Sequence, residues 1–249
     1  DITNFVDGLL IQPNSDGSAP TTGTLSTATG NVGIGKSTFA ALTSGDYNSG
    51  YGYNALAALT TGVQNTAIGS DALSTITTAS TNTAVGYHAL KLNTSGSSNV
   101  SVGRESMVNN TTGTANAVLG AGALNANTEG DYNTAVGSMA LNLNTTGTRN
   151  TAIGAYSLDA NTTGSYNNAS GYNALGANTT GVSNAAFGYG ALVLNTTGDQ
   201  NTGIGRGALG ANTTAAYNTA IGYGTLPANT TGASNTAVGT AALGANTTG

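Results

Sequence analysis

The chain has 249 residues, of which 6% are charged, against roughly 25% in typical globular proteins, and its formal net charge is −5. Five Lys and Arg in total give no basic stripe for nucleic acid, there is no Cys for a disulfide framework, and no apolar run approaches the length of a membrane-inserted helix. So little charge beside so much Asn, Thr, Gly and Ala would suit a disordered chain unless the sequence has a period.

Residues 1–30, "DITNFVDGLLIQPNSDGSAPTTGTLSTATG", lie outside any repeat. Ile2, Phe5, Val6, Leu9, Leu10 and Ile11 form an apolar cluster, followed by a linker rich in Pro, Ser, Thr and Gly. Three roles are open to this segment: a cap over the first coil of a repeat domain, a strand added to another subunit, or a plain linker. The start at Asp1, without Met or a leader pattern, is read as a processed chain or a fragment.

The next stretch, "GNVGIGKST" at 30–38, fits the phosphate-loop pattern G-x-x-x-x-G-K-[ST]. Gly30 and Gly35 would frame the loop, Lys36 would reach the phosphates and Ser37 would hold magnesium. Such a loop needs a strand before it and a helix after it, whereas "FAALTSGDYNSGYGYN" follows, which is another turn of a repeat. Lys36 occupies a position that later holds Tyr53, Ser70, Arg104 or Ala121, so the match is a coincidence of register.

From Asn31 onward the chain is periodic. Asn31, Asn48, Asn65, Asn82, Asn99, Asn116, Asn133, Asn150, Asn167, Asn184, Asn201, Asn218 and Asn235 are each 17 residues apart, giving thirteen repeats over 31–249 without insertion. With that Asn as column 1, column 5 is always Gly and column 13 always Thr; column 9 is Leu except at Phe39 and Met107; column 15 is Gly except at Ala79 and Ala215. Column 4 is mostly aliphatic, and column 12 is Leu42, Leu59 and Ile76 before it becomes Asn.

A 17-residue period is too short for paired helices, and two glycines per repeat oppose helix. The predicted fold is therefore all-β: a parallel β-solenoid (β-helix or β-roll) of thirteen 17-residue coils, each hydrogen-bonded to the next about 4.7–4.9 Å away. Columns 4 and 9 are expected to stack as apolar ladders inside, with Ala in columns 3, 8 and 11 bringing the walls together. Glycines in columns 5 and 15 are expected to supply corners with positive φ. Column 12 is expected to face inward, its Asn amides satisfied by their own ladder. The thin apolar core of one coil favours intertwining or packing as an oligomer. The pattern runs unchanged to Gly249, which is read as a cut fibre or an edge that docks on another subunit.

The repeats carry a resemblance. "NTAVG" and "NTAIG" resemble the head repeats of trimeric autotransporter adhesins, and "NTAIGxxALxxNTTGxxN", opened by "GNVGIG", is similar to repeats of phage tail-fibre and related surface-fibre proteins. The resemblance implies a fibre that assembles as a trimer, on a cell surface or virion. This repeat is longer than the roughly 14-residue adhesin unit, and no chaperone or receptor-binding tip accompanies it.

Candidate sites are few. His88, the single His, is read as a solvated side chain without a convergent acid in its column, and Arg104 and Glu105 as a solvated pair. Asp46, Asp131 and Asp199 share column 16 in distant coils and do not converge on a calcium ion. Asn93, Asn110, Asn144, Asn161, Asn178, Asn195, Asn212, Asn229 and Asn246 match the N-glycosylation pattern, but an inward column 12 cannot carry glycans. Tyr in column 6 (Tyr53, Tyr87, Tyr172, Tyr189, Tyr223) and column 17 (Tyr47, Tyr132, Tyr166, Tyr217) suits chain–chain contact or surface packing, with a glycan-binding stripe as the alternative. Thr ladders suggest ice binding, but columns 13 and 14 are adjacent, where a strand would point them to opposite sides. No catalytic, cofactor-binding or metal-ligating residue is assigned. The expected function is a non-enzymatic, extracellular fibre or filament segment that associates with itself laterally or head to tail. A solenoid binding module for ice or cell-surface glycan is the alternative, with no nucleic acid partner and no membrane insertion.

Overall fold

In the computed structural model, described for residues 8–11, 22 and 26–248, the chain is an all-β parallel solenoid with no helix among the described residues. Two compact units are distinguished: one runs to Ala121 and takes in Asn125–Glu129, the other comprises Gly122–Leu124 and the chain from Gly130. The first unit carries β1 (Leu9–Ile11), β2 (Val32–Ile34), β3 (Ser49–Tyr51), β4 (Thr66–Ile68), β5 (Thr83–Val85), β6 (Val100–Val102) and β7 (Ala117–Leu119). The second carries β8 (Thr134–Val136), β9 (Thr151–Ile153), β10 (Asn168–Ser170), β11 (Ala185–Phe187), β12 (Thr202–Ile204), β13 (Thr219–Ile221) and β14 (Thr236–Val238). Within each unit the strands pair parallel in sequence order, and the repeat strands pair with an offset of one period, as in Thr66↔Thr83 and Thr219↔Thr236.

β1 comes from the segment before the repeats and lies on β2, with Leu9 opposite Val32 and Leu10 opposite Gly33. Gly33 has no side chain, and Leu10 and Phe39 fill the space a Cβ would take there, at 2.7 and 2.8 Å from its ideal position. Ile2, Phe5, Val6 and the linker up to residue 25, apart from Thr22, lie outside the described residues.

Each repeat strand spans columns 2 to 4, and its short length decides which residues face in. Successive side chains alternate, so the column 3 residue points inward and columns 2 and 4 point out. Ala67, Ala84, Ala135 and Ala152 are fully buried, whereas Ile68 is 42% and Leu119 54% exposed. The expected inner ladder of column 4 is thus an outer one. Column 11 also faces out, with Leu143 and Leu194 each 51% exposed. The core consists of Ala in columns 3 and 8, Leu in column 9, and Leu or Asn in column 12.

The remainder of each coil is made of overlapping turns. Column 5 glycines have φ between +124° and +152°, as expected of a corner. At Gly154 a Cβ would also sit 2.6 Å from the carbonyl oxygen of Gly171 in the next coil. Column 15 departs from expectation, since none of its described glycines has positive φ. At Gly164 close approach is the constraint, a Cβ there lying 2.5 Å from both the Asn161 Oδ1 and the Gly181 carbonyl. The left-handed backbone instead falls on columns 7, 9 and 17, where non-glycine residues have φ of 48–62°. Turn bonds such as Thr38 N–H to Gly35 C=O (3.4 Å) and Leu42 N–H to Phe39 C=O (3.1 Å) wind the chain through this region. A left-handed Leu costs about 1–2 kcal/mol. Full burial of the same side chain returns about 1.5–3 kcal/mol, so column 9 is held by its core contact.

Candidate functional site

The chemistry of this chain resides in ladders that repeat from coil to coil. In column 1, Asn150 Nδ2 donates to the Gly164 carbonyl at 2.9 Å, while its Oδ1 accepts from the Asn167 backbone N–H at 3.0 Å and from Asn167 Nδ2 at 3.3 Å. In column 12, Asn161 Nδ2 donates to the same Gly164 carbonyl at 2.9 Å, and its Oδ1 accepts from Asn178 Nδ2 at 2.9 Å. The two ladders therefore meet on the column 15 carbonyl, one donor for each lone pair. This explains why Leu42, Leu59 and Ile76 can stand in column 12. In those coils the column 1 Asn still serves that carbonyl, as Asn31 serves Gly45 at 2.8 Å. All column 12 Asn from Asn93 to Asn229 are fully buried, in agreement with an inward column.

A second buried polar contact is made of a matched pair. Ser101 in column 3 and Ser106 in column 8 replace two core alanines of one coil, and their hydroxyls are 2.6 Å apart across the interior. The Ser106 hydroxyl also reaches the Gly103 carbonyl at 2.9 Å, as the Ser157 hydroxyl in the same column reaches that of Gly154 at 2.8 Å, so it is Ser101 that depends on its partner across the interior.

On the surface, His88 is not without an acid. Asp71 occupies the same column one coil earlier, and its Oδ2 lies 3.3 Å from His88 Nε2 and 3.9 Å from Lys91 Nζ. Asn54 Nδ2 donates to the other Asp71 oxygen at 3.0 Å, and the Tyr87 ring stacks on the imidazole at 3.6 Å. The reading of His88 as isolated overlooked that a neighbour in a solenoid is 17 residues away. Among the described residues no three His, Cys, Asp or Glu side chains come together as a metal site. Column 16 carboxylates likewise have a structural task. Asp46 accepts from the Thr29 N–H and Asp199 from the Val182 N–H, each at 2.7 Å, one coil back. Ser80 and Ser165 do the same in their coils. Arg104 and Glu105 form an exposed pair at 3.2 Å.

The phosphate-loop residues do not assemble a phosphate site. Gly35 is a corner, Lys36 is exposed, Ser37 is left-handed with φ 60°, and turns follow β2 where a helix would be required.

The Thr and Tyr ladders are also engaged internally. Column 13 hydroxyls donate to the next coil's column 13 carbonyl, as from Thr145 to Thr162 at 3.1 Å and from Thr162 to Thr179 at 3.0 Å. Columns 13 and 14 lie in a bend, so the strand alternation expected to separate them does not apply. Among the aromatic residues, Tyr172 and Tyr189 stack at 5.4 Å, Tyr156 meets Tyr172 edge-on at 5.9 Å, and Arg206 lies between Tyr189 and Tyr223 at 5.5 and 5.9 Å. Arg149 is placed in the same way between Tyr132 and Tyr166, at 5.3 and 5.6 Å. A sugar ring packs on an aromatic face, and in the Tyr172–Tyr189 stack and the Arg149 and Arg206 contacts such faces are engaged within the ladder.

Comparison with protein-family models, with curated proteins and with solved structures returned no match.

Proposed function

We propose that the chain is a non-enzymatic structural segment of an extracellular fibre or filament, a shaft whose length comes from repetition and which assembles with further copies of itself. The observation that carries this reading is the destination of the polar groups. Asn in columns 1 and 12, Thr in column 13 and Asp or Ser in column 16 all bond to the neighbouring coil or across their own. The side chains that could do chemistry thus hold coil to coil. The resemblance to tail-fibre and adhesin repeats supports a virion or cell-surface setting. Ice or glycan binding is the weaker reading, since column 13 hydroxyls and many Tyr faces already have partners.

Electron microscopy of the purified protein, with mass from light scattering, tests the proposal. Rods containing several chains, or filaments with one axial repeat per chain, are expected. Compact monomers at every concentration would overturn it.

A further inference from the structure

The strand face carries a feature that coil-to-coil bonding leaves unexplained. Column 4 presents an aliphatic or aromatic side chain in every coil except at Ser170, with Ile34, Ile68 and Leu119 in the first unit and Ile153, Ile204 and Ile221 in the second exposed by 37–54%. The outward neighbour in column 2 is mostly Thr, and columns 1 to 5 contain no charged residue in any of the thirteen repeats. A sheet face meeting water ordinarily alternates apolar-in with polar-out. Here the small residue is inside and the aliphatic one outside.

We infer that the column 2 and column 4 face of the strands is the surface by which a second copy of this chain packs alongside the first. This rests on the fibre reading and adds to it a face and its residues. Three observations select a second copy as the occupant. The apolar side chains recur at the strand spacing of about 4.8 Å, and another copy presents the same spacing, so knobs on the sheet of one unit meet gaps on that of its counterpart. Opposed sheets of this kind interdigitate at about 10 Å. The lack of charge lets two chains of net charge −5 approach with no ion to desolvate and no like pair in contact. The area contributes as well: seven strands, each about 10 Å wide at this spacing, give each unit a face on the order of 350 Å², nearly half of the ~800 Å² per partner of a stable interface. An ice lattice needs an unbroken flat array, and Tyr51 and Phe187 in column 4 with Val100, Ala117, Asn168 and Ala185 in column 2 interrupt it.

The test compares the mass of the full chain by sedimentation velocity across micromolar concentrations with that of two double variants. Ile153→Lys/Ile204→Lys places charge on the strand face. Leu143→Lys/Leu194→Lys places the same charge on column 11, where both side chains are at least as exposed as the strand-face pair. All four residues point outward, so circular dichroism and melting should match the parent. The expected result is self-association that the strand-face pair weakens about a hundredfold or more and the column 11 pair leaves intact. If the strand-face pair associates like the parent, or if both pairs dissociate equally, the assignment of this face is overturned while the fibre reading stands. A parent chain that stays monomeric overturns both, and thermal hysteresis in that monomer would give the face to ice.

Discussion

Asn82 and Asn93 belong to one coil and are both fully buried, yet they are not equivalent. Asn82 Oδ1 is the acceptor for the Asn99 backbone N–H at 3.0 Å, whereas Asn93 Oδ1 accepts only from Asn110 Nδ2, which also donates to Gly113. Asn82→Leu orphans a buried backbone donor and should cost about 1–3 kcal/mol. Asn93→Leu extends the run of Leu42, Leu59 and Ile76 and should stay within about 1 kcal/mol. Denaturant unfolding of the two variants checks the difference, and hydrogen exchange at the Asn99 amide should quicken only in the first. Asp159 is a case of charge rather than of pairing. Burial pushes its carboxyl above the ordinary value of 3.8, against the opposing hydrogen bonds from backbone N–H groups. The fold therefore favours the protonated acid, and that contribution is present below pH 3.8 and lost as the pH rises through the raised value. Asp159→Asn should raise the melting temperature at pH 7, by the equivalent of a few tenths of a kcal/mol once solvent screening is counted. Below the ordinary carboxylate range the gain should vanish, which melts at the two pH values would reveal.

At the scale of the strand and its turns, backbone conformation sets what each column accepts. Gly154→Ala combines φ 126° with a Cβ 2.6 Å from the Gly171 carbonyl and should destabilise by about 3 kcal/mol or more. Ala115→Gly works in the opposite direction. Ala115 has φ 55°, and removing its Cβ relieves about 1–2 kcal/mol of left-handed strain against about 0.5–1 kcal/mol of glycine entropy. A net gain of up to about 1 kcal/mol is expected from equilibrium unfolding. The period and the column 5 corners are legible in the sequence because each follows from an invariant residue. The facing of the strand is legible too, through a different signal. Column 3 admits only Gly, Ala, Ser and Val118, whereas column 4 ranges from Ser170 to Tyr51 and Phe187. A packed interior cannot take that spread of volumes, so size tolerance outweighs hydrophobicity as the guide to inside and outside. The left-handed columns 7, 9 and 17 carry no such mark, because Leu, Tyr and Gln are held there by stacked turns and not by their own preference.

Within each unit a coil bonds to the coils before and after it, so stability there is a sum of nearest-neighbour terms. The same arrangement hid the Asp71–His88 contact from a linear reading, since contact follows column rather than sequence distance. It also sets how damage spreads. Leu10 on β1 covers the space beside Gly33 and Phe39 at the first repeat strand. Leu10→Asp would place a carboxylate against a fully buried Phe39 and loosen β1 from β2. A globular core would answer with global unfolding. In a solenoid the first coil loses one of its two neighbours while the others keep theirs, so the loss should fade along the chain. Hydrogen exchange should therefore accelerate at the Val32 and Tyr47 amides, which bond to Asn48 and Thr29 in this first coil. The Thr202 and Thr219 amides of the second unit should keep their protection. Uniform acceleration across both units would mean that the chain unfolds as a single cooperative body and that nearest-neighbour addition does not describe it.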